Sequence, residues 1–360
     1  MSYDQLTARP QFSIPQAEKE LLLLEALDGL TEHHRVRNAE YARVLDAISV
    51  PSGDGLERVP FLPVNVFKHH LLRSIGDDEV FKTMTSSGTT GQRVSRIVLD
   101  RATAARQSTT LAKIMTHVLG PSRLPMIVID TANVVKDRKQ FSARGAGVLG
   151  MLSYGRRHFY ALDDDMQLDE AGLREFLHLH RGSPILLFGF TYMVWKYFFQ
   201  QIVGRGIDLS DGVLIHSGGW KKLQDEAVGN AEFRAAFGRE TGLRRIHNFY
   251  GMVEQVGTVF LEADDGTLRP PNAADVLIRD PDTWRVLPNG EPGVIQVLSA
   301  LPLSYPGHSI LTEDRGIVHG IADPSTGWSG RRLEVLGRVP KTELRGCSDT
   351  HAAEVEGASA

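Results

Sequence analysis

The chain has 360 residues, 40 Lys+Arg against 44 Asp+Glu, 42% hydrophobic residues and a single cysteine. A net charge of −4 (40 − 44) excludes a uniformly basic, nucleic-acid-coating protein. One cysteine excludes an intramolecular disulfide framework and any cysteine-based metal cluster.

The length suits two domains, or one large domain with an appendage, and the core needs no covalent staple. The first residues, MSYDQLTARPQ, lack the basic-then-apolar pattern of a secretory signal. The most apolar run, 185–199, is interrupted by Lys196 and is too short to cross a bilayer, so the reading is cytoplasmic, with no membrane span and no nucleic-acid partner. Ser13 and Gln16 fit a capping box ahead of a helix over 18–30, whose four consecutive leucines turn to a core. A second helix is predicted over 38–48, ending before Pro51. From Pro125 the texture changes to short apolar runs at 126–130, 158–162, 185–190 and 213–216, separated by helical stretches, which is the pattern of a parallel sheet covered on both faces. Beyond Gly257 the helical stretches vanish. Runs at 256–262, 276–279, 293–299, 316–319 and 333–336 read as strands between Gly/Pro/Asn turns. The expected fold class is α/β. It divides into a helical lead (1–50), an α/β part with parallel sheets (51–255), a β-rich subdomain (256–336) and a short last segment (337–360) with a frayed polar tail.

Thr85-Ser86-Ser87-Gly88-Thr89-Thr90-Gly91-Gln92 is the densest cluster of hydroxyls and glycines. Glycines let successive backbone N–H groups turn to one point and hydroxyls add donors, so the segment reads either as a phosphate cradle or as a solvated turn. It lacks Walker A spacing. Four further segments follow in order: Ser217-Gly218-Gly219-Trp220, Asn248-Phe249-Tyr250-Gly251-Met252-Val253-Glu254, Leu311-Thr312-Glu313-Asp314 and Gly337-Arg338. Together the five resemble the signature motifs of the adenylate-forming (ANL) superfamily, which includes acyl-CoA synthetases, luciferases and peptide-synthetase adenylation domains. The one departure is Val253, where that superfamily has threonine.

The resemblance implies ATP and Mg²⁺ as cofactors. It assigns Thr85, Ser86, Ser87, Gly88, Thr89, Thr90 and Gly91 to the phosphates, and Gly218, Gly219, Trp220, Asn248, Tyr250 and Gly251 to adenine. Glu254 goes to Mg²⁺, and Asp314 and Arg338 to ribose. Each role suits the residue type: a phenol ring stacks on a base, a carboxylate accepts from two hydroxyls, and Mg²⁺ takes one or two carboxylates besides substrate phosphates. A rival motif, Gly145-Ala146-Gly147-Val148-Leu149-Gly150, is a literal G-x-G-x-x-G. A dinucleotide fingerprint must open directly from a buried strand. This one follows the polar stretch 135–144, so a helix with glycines for close packing or a narrow channel is preferred.

Only 22 residues follow Arg338, so the resemblance leads to the expectation that the usual carboxyl-terminal subdomain of such ligases, with its lysine, is missing here. Arg93, Arg96, Arg338 and Lys341 are the possible replacement cations. Cys347 lies in the remaining stub, beside Gly346 and near Lys341 and Arg345. Positive neighbours lower a thiol's pKa, and a thiolate attacks a mixed anhydride well. A cysteine so placed, with Tyr305-Pro306-Gly307-His308-Ser309, resembles the acyl-protein synthetases of the LuxE type. That implies activation of a carboxylic acid as its adenylate, transfer to catalytic Cys347, and delivery to an NAD(P)H-dependent acyl reductase. The acid itself, fatty, aryl or a secondary metabolite, stays open. A free-standing ligase using a soluble acceptor such as CoA, and a degenerate partner of a reductase, are the alternatives. Gly189, Phe190 and His216 are assigned to the acyl pocket, with a core role for His216 as the competing reading. The doublets His33-His34 and His69-His70 read as surface, and His178 and His180 as sharing a strand face; no metal is assigned to them.

Overall fold

The computed structural model describes residues 2–48, 53–86, 93–135, 143–219 and 228–339. Three helices lead: α1 (Ser2–Ala8), α2 (Gln16–Arg37) and α3 (Ala39–Ala47). The expected capping box does not form. Pro15 is the N-cap of α2, the Ser13 hydroxyl donates to the Pro10 carbonyl at 2.7 Å, and the Gln16 amide donates to Asp275 at 2.6 Å. Asp275 also takes Lys19 and Arg331 at 3.5 and 2.9 Å, so the helix start is fastened to the β-rich part rather than to itself. Of the four leucines, Leu23 is buried while Leu21 is 73% exposed, as a 3.6-residue period requires.

A short strand β1 (Leu62–Pro63), the turn of helix α4 (Val66–His69) and the hairpin of β2 (Lys82–Thr85) and β3 (Arg96–Leu99) precede helix α5 (Arg101–Leu119). The α/β part then runs β4 (Leu124–Thr131), α6 (Ala143–Leu152), β5 (Gly155–Leu162), α7 (Glu170–Leu179) and β6 (Ile185–Phe190). A helix follows that begins as α8 (Thr191–Met193), widens to π geometry over Val194–Phe199 and closes as α9 (Gln200–Ile202). Then come β7 (Gly212–Ser217), α10 (Asn230–Thr241) and β8 (Arg245–Tyr250). The rest is strand: β9 (Phe260–Glu262), β10 (Leu268–Arg269), β11 (Ala274–Arg279), β12 (Gly293–Ser299), β13 (Ser309–Ala322) and β14 (Gly330–Arg338).

One sheet joins these strands in the order β11-β12-β13-β14-β10-β9-β8-β7-β6-β4-β5, with β1 beside β13. The β4–β8 half is parallel, and the pairing turns antiparallel at β8–β9, so the β-rich part continues the parallel part without a break. Both faces of the parallel half are covered. Met126 and Val128 pack toward α5 and α6, with Ile114, Met115, Val148 and Met151. Ile127 and Ile129 pack toward α10 and the π segment, with Phe198, Phe233 and Phe237. That double cover is why these strands read as unbroken apolar runs.

Two sequence expectations need correction. His34 is fully buried and stacks on His308 with ring centroids 5.2 Å apart. His178 and His180 lie at the end of α7 and at its C-cap, not on a strand. The motif at 145–150 lies inside α6, as the preferred helical reading expects, away from the end of β4. No helix among the described residues is long and apolar enough to cross a membrane.

Candidate active site

In an open α/β sheet, ligands bind beyond the carboxyl ends of the strands. Here those ends are Thr131, Phe190, Ser217 and Tyr250, aligned by the registers Gly189↔His216 and Ser217↔Phe249. Gly218 follows the end of β7 with φ +87, a conformation that only glycine adopts without strain. Tyr250, one residue past Phe249, donates its hydroxyl to Asp314 Oδ2 at 2.7 Å. Asp314 stands opposite Arg338 in the β13–β14 ladder, and the guanidinium Nε is 3.8 Å from the other carboxylate oxygen. Burial, and then the neighbouring Asp314 charge, push the Tyr250 phenol well above its ordinary range, so it stays a donor. Burial raises the Asp314 carboxyl, and the Tyr250 bond and Arg338 act against that rise.

Glu254 sits in the short 3₁₀ turn after β8 and is buried. A clamp from the Tyr305–His308 segment fixes that turn. The Tyr305 hydroxyl donates to the Glu254 carbonyl at 2.8 Å, and the Gln255 amide donates to the Gly307 carbonyl at 2.9 Å. A Cβ on Gly307 would stand 2.8 Å from the Glu254 carbonyl, so the close approach needs glycine. Val253 turns its side chain into the apolar cluster of the β-rich part. Burial raises the Glu254 carboxyl; Ser95 and Lys68 oppose the rise. Lys68, at the end of α4 and 3.4 Å from Glu313, is a cation that sequence reasoning missed, since no motif contains it. Arg93 contacts His69 at 3.2 Å.

Ser86 and Ser95 close the base of the expected phosphate loop: Ser86 N–H donates to the Ser95 carbonyl at 3.1 Å, and Ser95 N–H to the Ser86 hydroxyl at 2.9 Å. Thr85 pairs with Arg96 on the same hairpin. Ser87, Gly88, Thr89, Thr90 and Gly91, together with Trp220, Lys341 and Cys347, lie outside the described residues. Asn248 is next to His216 in the β7–β8 register and donates its N–H to Glu262 at 3.1 Å. Gly251 follows β8, and Gly219 is exposed beside Gly218. A lone buried carboxylate such as Glu254 suits Mg²⁺, which draws its other ligands from water and substrate phosphates. Among the described residues no three His, Cys, Asp or Glu side chains converge as a metal site.

The sheet divides the expected acyl-pocket residues. Gly189 and His216 face α10. A Cβ on Gly189 would stand 2.9 Å from that of Ile129, and His216 stacks on Phe233 at 4.8 Å while Thr191 bonds its Nδ1 at 2.9 Å. Burial pushes the His216 imidazole down to about 3. Phe190 faces α6 instead. Its ring lies between two glycines, with a Cβ on Gly147 placed 2.9 Å away and one on Gly218 placed 3.5 Å away. Beyond Gly147 on the same helix, Arg144 meets Asp130 at the end of β4, Nε to Oδ2 3.3 Å. Asp130, Arg144 and Tyr192 share no motif, so nothing in the sequence marks them as neighbours.

The sequence model of the family described as acyl-protein synthetase, LuxE, matches residues 5–355. A long-chain-fatty-acid–luciferin-component ligase of Vibrio harveyi is 26% identical over 353 residues, 92% of this chain and 87% of that protein. The ligase of the same name from Aliivibrio fischeri is 25% identical over 330 residues, 88% and 84% of the two chains. A solved 2-hydroxyisobutyryl-CoA ligase, in an open conformation with 2-HIB-AMP and CoA, aligns with TM-score 0.66 at 16% identity, covering 93% of this chain and 78% of that one. That likeness shows the fold to be that of the adenylate-forming enzymes' amino-terminal part.

Proposed function

The chain belongs to the LuxE acyl-protein synthetase family and is an ATP-dependent acid ligase; from that premise we propose that it converts a carboxylic acid to its acyl adenylate and takes the acyl group onto its own Cys347. The observation that carries this reading is the Tyr250–Asp314–Arg338 set at the end of β8, beside the Glu254 turn and the closed base of the 85–95 hairpin. In the first step a carboxylate oxygen attacks the α-phosphorus of ATP and pyrophosphate leaves. In the second the Cys347 thiolate attacks the acyl carbonyl, forms the thioester and releases AMP.

Asp314 and Arg338 hold the ribose, Tyr250 and the Gly218–Gly219 turn border the base, and the 85–91 segment cradles the phosphates. Glu254 would hold Mg²⁺, whose charge offsets that of the phosphates when bound; Lys68 adds a protein cation on the same side. With little covalent work for side chains, acceleration of the first step comes from positioning and from charge compensation. The acyl-protein then passes its group to an NAD(P)H-dependent acyl reductase in the cytoplasm.

The test is direct. Wild-type protein given MgATP and a labelled acid is expected to exchange pyrophosphate into ATP and to carry a hydroxylamine-labile acyl group. Cys347→Ser is expected to carry none. A stable thioester on that variant, or full turnover with CoA in place of a protein thiol, overturns the cysteine assignment. Absence of carboxylate-dependent exchange overturns the adenylating reading.

A further inference from the structure

At the α6 end of the sheet, three buried side chains sit together with polar atoms short of well-formed hydrogen bonds, although Arg144 lies within reach of both Asp130 and the Tyr192 hydroxyl. Asp130 is 1% exposed, Tyr192 4% and Arg144 9%. The unpartnered atoms are Asp130 Oδ2, Arg144 Nε and Nη1, and the Tyr192 hydroxyl. Asp130 spends its other oxygen on the Thr131 N–H at 2.7 Å, and its ion pair with Arg144, at 3.3 Å, lacks hydrogen-bond geometry. A buried donor or acceptor without a partner costs about 1–3 kcal/mol, more when charged, and native structures hold few of them. Three such side chains in one place, beside the carboxyl ends of β4 and β6, are a set that a ligand group could complete.

Their position fits the acid rather than the nucleotide. Phe190 carries the surface from the Gly218 turn to Gly147, and Arg144 lies one helical turn before Gly147. Asp130 is the last residue but one of β4, and β6 and β7 separate that strand from β8. Three strand spacings put the cluster about 14 Å from Tyr250. The chemistry narrows the ligand further. Arg144 and Asp130 already cancel in charge, so a second full charge would be unbalanced there. What is free is a set of donors beside one acceptor, which a neutral group able both to accept and to donate would satisfy.

We propose that the acid activated by this protein carries a hydroxyl or similar neutral hydrogen-bonding group at the end remote from its carboxyl, and that Arg144, Asp130 and Tyr192 bind that group. An unadorned alkyl end would desolvate the three side chains and leave them unsatisfied. Sites built to bond a hydroxyl reject the analogue that lacks it far more strongly than apolar pockets sort by size. The proposal rests on the adenylating reading above for the identity of the ligand as substrate.

Matched acids test it: ω-hydroxy fatty acids and hydroxylated aryl acids, each beside its unsubstituted parent, across several lengths. Equilibrium dialysis against the full chain without ATP measures binding, and pyrophosphate exchange runs in parallel. The hydroxylated member of at least one pair is expected to bind tenfold or more tighter. Tyr192→Phe, which removes a single oxygen, and Arg144→Met are expected to abolish that preference. A structural role for the ion pair would lower the melting temperature of Arg144→Met but leave the ratio within each pair unchanged. Equal or weaker binding of every hydroxylated acid, or a preference that survives Tyr192→Phe and Arg144→Met alike, overturns the proposal. Exchange that proceeds equally with both members sinks this proposal alone. A binding preference without any exchange sinks the adenylating reading and leaves the pocket assignment standing.

Discussion

Tyr250, partly buried, gives its hydroxyl hydrogen to Asp314 at 2.7 Å, whereas Tyr192, buried more deeply, gives its own to no described residue. The two tyrosines mark two ends of one site. At the β8–β13–β14 end the principal side chains are joined to each other, and ladder pairing of Asp314 with Arg338 fixes them before any ligand arrives. At the β4–α6 end an ion pair and a phenol are brought together without being satisfied. A group that is satisfied in the empty protein helps to hold the fold; one that is not points to a ligand. On the proposed function the nucleotide is the same whatever acid is used, so its end can be finished in advance, while the proposed acid end, which would carry the selectivity, stays open.

Perturbing each end separately sharpens that contrast. The largest effect is expected for Asp314→Ala, which deletes the proposed ribose acceptor and strands the Tyr250 hydroxyl. Losing hydrogen bonds to a charged group costs about 1.5–3 kcal/mol, so the KM for ATP should rise roughly tenfold to a hundredfold while preference among acids stays put. Pyrophosphate exchange at varied ATP reads it. A parallel loss of acid selectivity would show that the two ends are not separable.

Acid titration comes next, because the two ends respond to pH with opposite signs. Behind the Glu254 clamp, burial pushes His34 down to about 2 and His308 to about 3. The unfolded chain takes up those protons near an ordinary histidine value of about 6.5, so this contribution is complete above that pH and is lost as pH falls below it. Asp130 is pushed up by burial to about 6. Its contribution is complete below an ordinary aspartate value and is lost as pH rises through about 6. With His216, likewise pushed down to about 3, three histidines outweigh one aspartate, so the melting temperature should drop by roughly 4 °C between about pH 7 and about pH 5.5. Differential scanning of His308→Gln should show a flatter profile, and of Asp130→Asn a steeper one.

The smallest expected effect is that of Gly147→Ala. Its methyl would enter the Phe190 ring's space at 2.9 Å, an overpacking cost of about 1 kcal/mol. Acid binding should weaken several-fold, measured by dialysis, with the KM for ATP unchanged. If ATP suffers instead, Phe190 serves the nucleotide end and the contrast drawn here is misplaced.

The same division governs what could be read from the chain. The proposed nucleotide end is written in short segments, so Tyr250, Glu254, Asp314 and Arg338 could be singled out as motif positions, and the structure joins Tyr250, Asp314 and Arg338; the strands Ile185–Phe190 and Gly293–Ser299 match their expected bounds. The acid end draws on positions 130, 144 and 192, joined only by strand order and by the packing of α6 across the sheet. No local pattern encodes such a meeting. Elsewhere tertiary contacts overrode local rules: Gln16 abandons its cap for Asp275, 259 positions away, and His34 leaves the surface for Ser74 and the Pro302 carbonyl. Strand β13 was read as a motif plus a short strand, because its first half is recognisable by Asp314 and its second by apolar alternation.

Val339 donates its backbone N–H to the Glu313 carbonyl at 2.9 Å, so the chain leaving β14 is pinned one residue from Asp314. Cys347 follows eight positions later (347 − 339). Eight residues reach at most about 29 Å. The proposed thiol is thus a tethered reagent, and its supply to the adenylate would be indifferent to how dilute the enzyme is. A soluble thiol would have no such independence and would compete only in proportion to its own concentration.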